Sequence, residues 1–89
     1  MIFEWDEEKN KTNIQKHGIS FEHAKKVFDD EYRIETDIYY RNGEYRYNVI
    51  GMVSKILFVV CTDRSEDAIR IISARKATKK EEAAYYGDD

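Results

Sequence analysis

Cationic residues crowd one segment of an otherwise acidic chain. Between residues 64 and 80 stand Arg64, Arg70, Arg75, Lys76, Lys79 and Lys80, against only Glu66 and Asp67. A guanidinium is a rigid fork that grips phosphate through two hydrogen bonds. A cation held beside a pentacovalent phosphorane also stabilises charge that appears only in the transition state. Arg64 and Arg75 are therefore the first candidates for phosphate chemistry, with Arg70, Lys76, Lys79 and Lys80 as further phosphate contacts. A second reading stays open, in which these side chains are solvated strand ends or ion-pair partners for the many carboxylates.

RNA can be cut without a metal when a base takes the 2′-hydroxyl proton, a cation steadies the phosphate and an acid protonates the departing 5′-oxygen. His17 is the evident proton carrier, because imidazole exchanges protons near neutral pH. Lys16 beside it offers another cation for phosphate. His17 also precedes Gly18, so it can instead serve the last carbonyls of a helix. Tyr85 is suited to proton donation or to stacking on a base, and equally to covering the core. Glu81 is accounted for by a capping box.

Other chemistries find less to work with. His17 and His23 fall in different helices and the carboxylates are scattered, so no clustered ligand set for a metal is expected. The sequence has no GxxxxGK[ST] loop, GxGxxG turn or GxSxG elbow, and hence no local sign of a nucleotide cofactor or a serine nucleophile. Cys61, the only cysteine, sits in an apolar strand pattern and reads as a buried structural thiol.

The 89 residues suffice for one domain with one modest core, spanning 1–89. With 42% hydrophobic, 37% charged and 13% aromatic residues the chain is suited to fold and remain soluble. Its longest nearly apolar run, Ile56 to Cys61, is far short of the roughly 20 residues that cross a bilayer. The acidic opening Glu4-Trp5-Asp6 is unlike a secretory signal, and a reducing cytoplasm is the expected location. A net charge of −3 argues against diffuse coating of nucleic acid. Acidic groups gather at Glu4–Glu8, at Asp29–Glu31 and at Asp88-Asp89, leaving one positive segment.

The elements that must position these residues are legible from periodicity and caps. Asp6 caps a helix to about Lys16, closed by His17-Gly18. Ser20 caps a second helix whose Phe21, Ala24, Val27 and Phe28 form an apolar stripe. From Tyr32 to Arg41 the period becomes two, and Asn42-Gly43 supplies a type I′ turn into a strand over about Tyr45 to Val53. Ile56 to Thr62, apolar on both faces, is the central strand, followed by Ala68 to Arg75. Strict alternation there sends Ile69, Ile71, Ser73 and Arg75 to one side and Arg70, Ile72, Ala74 and Lys76 to the other. Thr78-Lys79-Lys80-Glu81 opens the last helix. The expectation is an α+β domain with two helices, a four-stranded mainly antiparallel sheet and a C-terminal helix, helices on one face, with a possible short strand at Ile2 to Glu4.

Phe3-Glu4-Trp5-Asp6, Lys9, Asn13, Lys16-His17-Gly18-Ile19, Phe21-Glu22 and Ala24 together resemble the opening of the BrnT toxins. Arg46-Tyr47, Ile50-Gly51, Leu57-Phe58-Val59-Val60, Arg64, Ile69 to Arg75, Ala77-Thr78 and Glu81 continue the likeness in order. The resemblance implies a RelE-like fold and cofactor-free RNA cleavage that arrests translation. It also implies a BrnA-type antitoxin as partner, with operator DNA met only through that antitoxin. By position it carries Lys16, His17, Arg64, Arg70, Arg75 and Tyr85 over as motif residues.

Overall fold

The computed structural model describes residues 1–87, so the acidic pair Asp88-Asp89 lies outside the described residues. The chain runs β1 (Ile2–Glu4), α1 (Glu7–His17), α2 (Phe21–Ala24), a 3₁₀ segment (Lys25–Asp29), β2 (Ile34–Glu35), β3 (Tyr39–Arg41), β4 (Glu44–Val53), β5 (Lys55–Ser65), β6 (Ala68–Lys76) and α3 (Lys79–Tyr86). The sheet has the order β1-β6-β5-β4-β2, with β3 pairing β4 beside this path. It therefore holds six strands rather than four. It is also mixed, because β1 lies parallel to β6 while the other pairs are antiparallel.

Local chemistry sets the helix ends. The Asp6 carboxylate accepts from the amides of Glu8 and Lys9, and Gly18 at φ 70° closes the far end by donating to the Ile14 carbonyl. Ser20 caps α2, but the expected second helix is only one α-turn before it tightens into the 3₁₀ segment. Its stripe still faces inward, with Phe21, Ala24 and Val27 fully buried and Phe28 half-buried against Phe3. Asn42 and Gly43 take φ 52° and 80°, as a type I′ turn requires.

The strand expected from Tyr32 to Arg41 is split into β2 and β3. Ile34 pairs Ile50, whereas Tyr39 pairs Arg46, so the register against β4 slips by one residue between them. Thr36 makes the slip: its amide donates to the Asn48 carbonyl while its hydroxyl, not its carbonyl, accepts the Asn48 amide.

Two apolar clusters lie on opposite faces of the sheet. One gathers Phe21, Ala24 and Val27 with Val49, Leu57, Val59, Cys61, Ile69, Ile71 and Ala74. The other is smaller, joining Ile50, Ile56 and Ala77 with half-buried Phe58 and Tyr85. Helices are thus not confined to one face: α1 and α2 cover the larger cluster, and Tyr85 of α3 packs against the smaller. Gly51 lets the 3₁₀ segment approach, since a Cβ there would sit 2.9 Å from Val27 Cβ.

The α1 helix docks through amides instead of aliphatic side chains. Beyond β1 the outer edge of β6 is unpaired, and Asn13 fills it, its Oδ1 accepting from the Ala74 amide (3.1 Å) and its Nδ2 donating to the Ala74 carbonyl (2.8 Å). The same Nδ2 donates to the Ile19 carbonyl, and Asn10 Oδ1 accepts from the Phe21 amide. Ile14 and His17 remain exposed.

Candidate functional site

Two β-bulges decide which cations share a surface. Val60 pairs Ser73, but Cys61 pairs Ile71, so Ile72 is an extra residue in β6. Ile69, Ile71 and Ala74 consequently all reach the large core. Arg70, opposite Thr62, and Arg75, opposite Phe58, fall on the other face together with Ser73. Strict alternation had set Arg70 and Arg75 on opposite sides and grouped Ser73 with the isoleucines; the bulge overturns that. A second shift between Asp63 and Ser65 makes Arg64 an extra residue in β5.

The three arginines are each held by a carboxylate. Glu4 of β1, opposite Arg70 in the parallel ladder, forms an ion pair with Arg64 Nε at 3.2 Å and accepts a hydrogen bond from Arg70 Nη1 at 3.4 Å. Both pairs are single contacts on a carboxylate that is 40% exposed, so each is weak. Arg75 is held more firmly. Its Nη1 and Nη2 donate to Glu81 Oε1 and Oε2 at 2.7 and 2.9 Å, and its guanidinium lies 4.2 Å from the centre of the Phe58 ring. Hydrogen bonding to Glu81 raises the Arg75 pKa, and bonding to Arg75 lowers that of Glu81.

Glu81 does more than cap its helix. Its Oε1 accepts from the Thr78 amide, completing the capping box, while the same carboxylate forks Arg75. The sequence showed only the first role. Glu4 was missed as well, because its partners become visible only when β1 is known to lie beside β6.

The other sequence candidates occupy different places. Lys16 and His17 end α1, exposed, and line a cleft of about 330 Å³ with Lys9, Thr12, Ile72 and Ser73. Gly18 meets the Ile14 carbonyl itself, which leaves that helix-ending task to the backbone rather than to His17. No ion pair or hydrogen bond joins Lys16 or His17 to the three arginines among the described residues. Ser73 is the link, belonging by register to the arginine face and also lining the cleft. Lys76 is exposed at the end of β6, on the side away from Arg75, and Lys79 and Lys80 are exposed in the first turn of α3.

Tyr85 is engaged structurally. Its hydroxyl donates to Asp30 Oδ2, which also accepts the Met52 amide, while Asp30 Oδ1 accepts from the Tyr32 amide. The Asp30 bond pushes the Tyr85 phenol up to about 12. Cys61 is fully buried and free, and burial pushes its thiol up to about 12, as suits an inert core residue. Among the described residues no group of three or more His, Cys, Asp and Glu side chains is placed to hold a metal ion.

A mixed sheet with α1 and α2 on one face, and α3 on the other beside Arg70 and Arg75, defines a small α+β protein. Sequence comparison makes this specific. The family model for the ribonuclease toxin BrnT of type II toxin–antitoxin systems matches residues 5–81, and the chain belongs to that family. A 1.1 Å crystal structure of the Brucella abortus ribonuclease toxin BrnT is similar, with a TM-score of 0.63 and 26% sequence identity over 89% of this chain and 100% of that one. Comparison with curated proteins gives no match. As a type II toxin, the chain has an antitoxin as its partner. No helix among the described residues is long and apolar enough to cross a membrane.

Proposed function

We propose that this chain is a metal-independent endoribonuclease that inhibits translation and is neutralised by a BrnA-type antitoxin. The observation that carries the reading is the placement of Arg70 and Arg75 on one sheet face, with Arg64 joined to Arg70 through a shared Glu4. In this reaction the RNA 2′-oxygen attacks its own 3′-phosphorus, the bond to the 5′-oxygen breaks, and a 2′,3′-cyclic phosphate remains. Arg75, its guanidinium plane preset, neutralises the phosphorane, and Arg64 with Arg70, at the Glu4 end of the face, holds the adjoining phosphate. Lys79 and Lys80 in the first turn of α3 extend the positive path, Tyr85 lies further along that helix, and Lys76 at the strand end meets RNA from the opposite side of β6. His17 exchanges the proton across the Ser73 edge of the sheet, with Lys16 beside it holding substrate. The antitoxin covers the arginines, so the saturated complex is inactive, and operator DNA is met through the antitoxin alone.

The test is expression of the double variant Arg64→Ala, Arg75→Ala beside the unaltered chain, with growth and integrity of total RNA followed together. Loss of RNA breakage and of growth arrest from a folded variant supports the assignment; full activity overturns it. Cleavage that persists in chelator supports metal independence. A second reading, a binding module without catalysis, is favoured by the carboxylate partner that each arginine already has. It requires soluble, antitoxin-binding protein that leaves growth and RNA untouched.

A further inference from the structure

The β4–β5 ladder ends at Tyr47 opposite Cys61, although β4 begins at Glu44 and β5 runs on to Ser65. The first residues of β4 pair β3, forming a hairpin along the β4 edge opposite β5. Past the Tyr47–Cys61 pair the Thr62 hydroxyl donates to the Tyr45 carbonyl and so ties β4 to β5, and a surface groove of about 230 Å³ lies over this junction. Ile38 and Tyr45 line its hairpin side, and Thr62, Asp63 and Arg64 line its β5 side.

The groove's apolar surface is unusually open. Ile38 is 68% exposed, Tyr45 66% and Tyr40 63%, and the Tyr40 and Tyr45 rings meet edge to face at 4.9 Å. Tyr40 thus props one edge of the Tyr45 ring while the groove side stays open. Arg64 reaches the groove with a half-exposed side chain, engaged by Glu4 only in a solvated pair. Glu44 and Asp63 also line the walls, and they repel an anion lying inside. A neutral flat group inside, with its negative charge at the Arg64 end, satisfies all of these constraints.

We infer that this groove is a subsite for one unpaired nucleotide of single-stranded RNA, its base stacked on Tyr45 and its phosphate held by Arg64. The inference rests on the ribonuclease reading and adds to it a residue that grips the base. Stacking on an exposed aromatic ring tolerates any base and suits single strands, whose bases are free to splay out. It also links substrate grip to Arg64, so that the nucleotide is anchored at one end of the arginine face.

The experiment titrates a 2′-O-methyl oligoribonucleotide, which lacks the attacking hydroxyl, carrying one 2-aminopurine. Anisotropy reports affinity and 2-aminopurine quenching reports stacking. Tyr45→Ala should weaken binding roughly tenfold and abolish quenching. Tyr45→Phe should retain both. Tyr45 is exposed, so thermal melts should match the unaltered protein. Unchanged affinity and quenching in Tyr45→Ala overturn the subsite while leaving the ribonuclease reading intact, provided the unaltered chain still cleaves unmodified RNA. Loss of antitoxin capture with RNA binding intact assigns the groove to the protein partner and likewise overturns it. An unaltered chain that neither binds nor cleaves RNA defeats both readings together.

Discussion

Replacing Asn13 with alanine should cost this domain about 3 kcal/mol, although the residue is polar and lies on a short helix. Asn13 is 6% exposed and makes three hydrogen bonds, two to the backbone of Ala74 and one to the Ile19 carbonyl. Its loss strands one amide and two carbonyls. A buried unpaired group costs about 1–3 kcal/mol. The cleft that Asn13 lines admits water to this edge, which points to the lower end for each of the three. For a domain of this size, 1 kcal/mol corresponds to roughly 4–8 °C, so the melting temperature should fall by roughly 12–24 °C. Thermal and urea unfolding, followed by circular dichroism, measure it. Asn13→Asp sharpens the test, because it keeps an acceptor for the Ala74 amide but turns a second acceptor toward the two carbonyls, and it should be no better than alanine at neutral pH. Ile14→Ala, one residue on and 42% exposed, should change stability by no more than about 0.5 kcal/mol. A loss below about 1 kcal/mol in Asn13→Ala would refute the idea that this amide completes the β6 edge.

Three further outcomes follow from the same structure. Gly51→Ala should lose about 1–3 kcal/mol in urea unfolding, because the new Cβ meets Val27 Cβ at 2.9 Å and the Val27 carbonyl oxygen at 3.2 Å. Tyr85→Phe should lose about 1 kcal/mol by removing the bond to Asp30. In the unaltered chain that bond's contribution is present below the ordinary phenol pKa of 10.0 and is lost as pH rises through about 12, a loss absent from the phenylalanine variant. The Glu81 carboxyl is lowered from 4.5, chiefly by Arg75, so its stabilisation is present above that value and fades as pH falls through the lower folded value. Glu81→Gln should therefore flatten the acid limb of the stability profile, and an unchanged limb would count against the ion pair.

What could be read from the sequence was what is encoded within a few residues. The caps at Asp6, Ser20 and Thr78 and the Asn42-Gly43 turn depend on side chains meeting their own backbone neighbours, and all four form as expected. Features that depend on distant chain segments were not legible. Nothing near Glu4 shows that it will lie opposite Arg70, and a three-residue strand carries too little pattern to announce a parallel pairing. Bulges are harder still, because one extra residue leaves composition untouched and reverses every later side chain. Ile72 does this in β6, so strict alternation distributed Arg70 and Arg75 wrongly between the two faces. His17 shows the converse: its type suggested chemistry, and its exposed position at the α1 end leaves it beside the arginine face, not within it.

The carboxylates on that face sort its cations into two kinds. Glu4 is half-buried and divides one carboxylate oxygen between Arg64 and Arg70, so each arginine has a weak and easily exchanged partner. Glu81 is bound at both ends, to the Arg75 fork and to the Thr78 amide, and its departure would open the first turn of α3 as well as the ion pair. Arg75 is further fixed by the Phe58 ring beneath it. Arg64 and Arg70 are thus exchangeable cations, whereas Arg75 is a preset one whose guanidinium plane is fixed before any ligand arrives. The same pairing explains how a chain of net charge −3 carries these three arginines without a diffuse positive field: each charge is cancelled locally by a carboxylate partner.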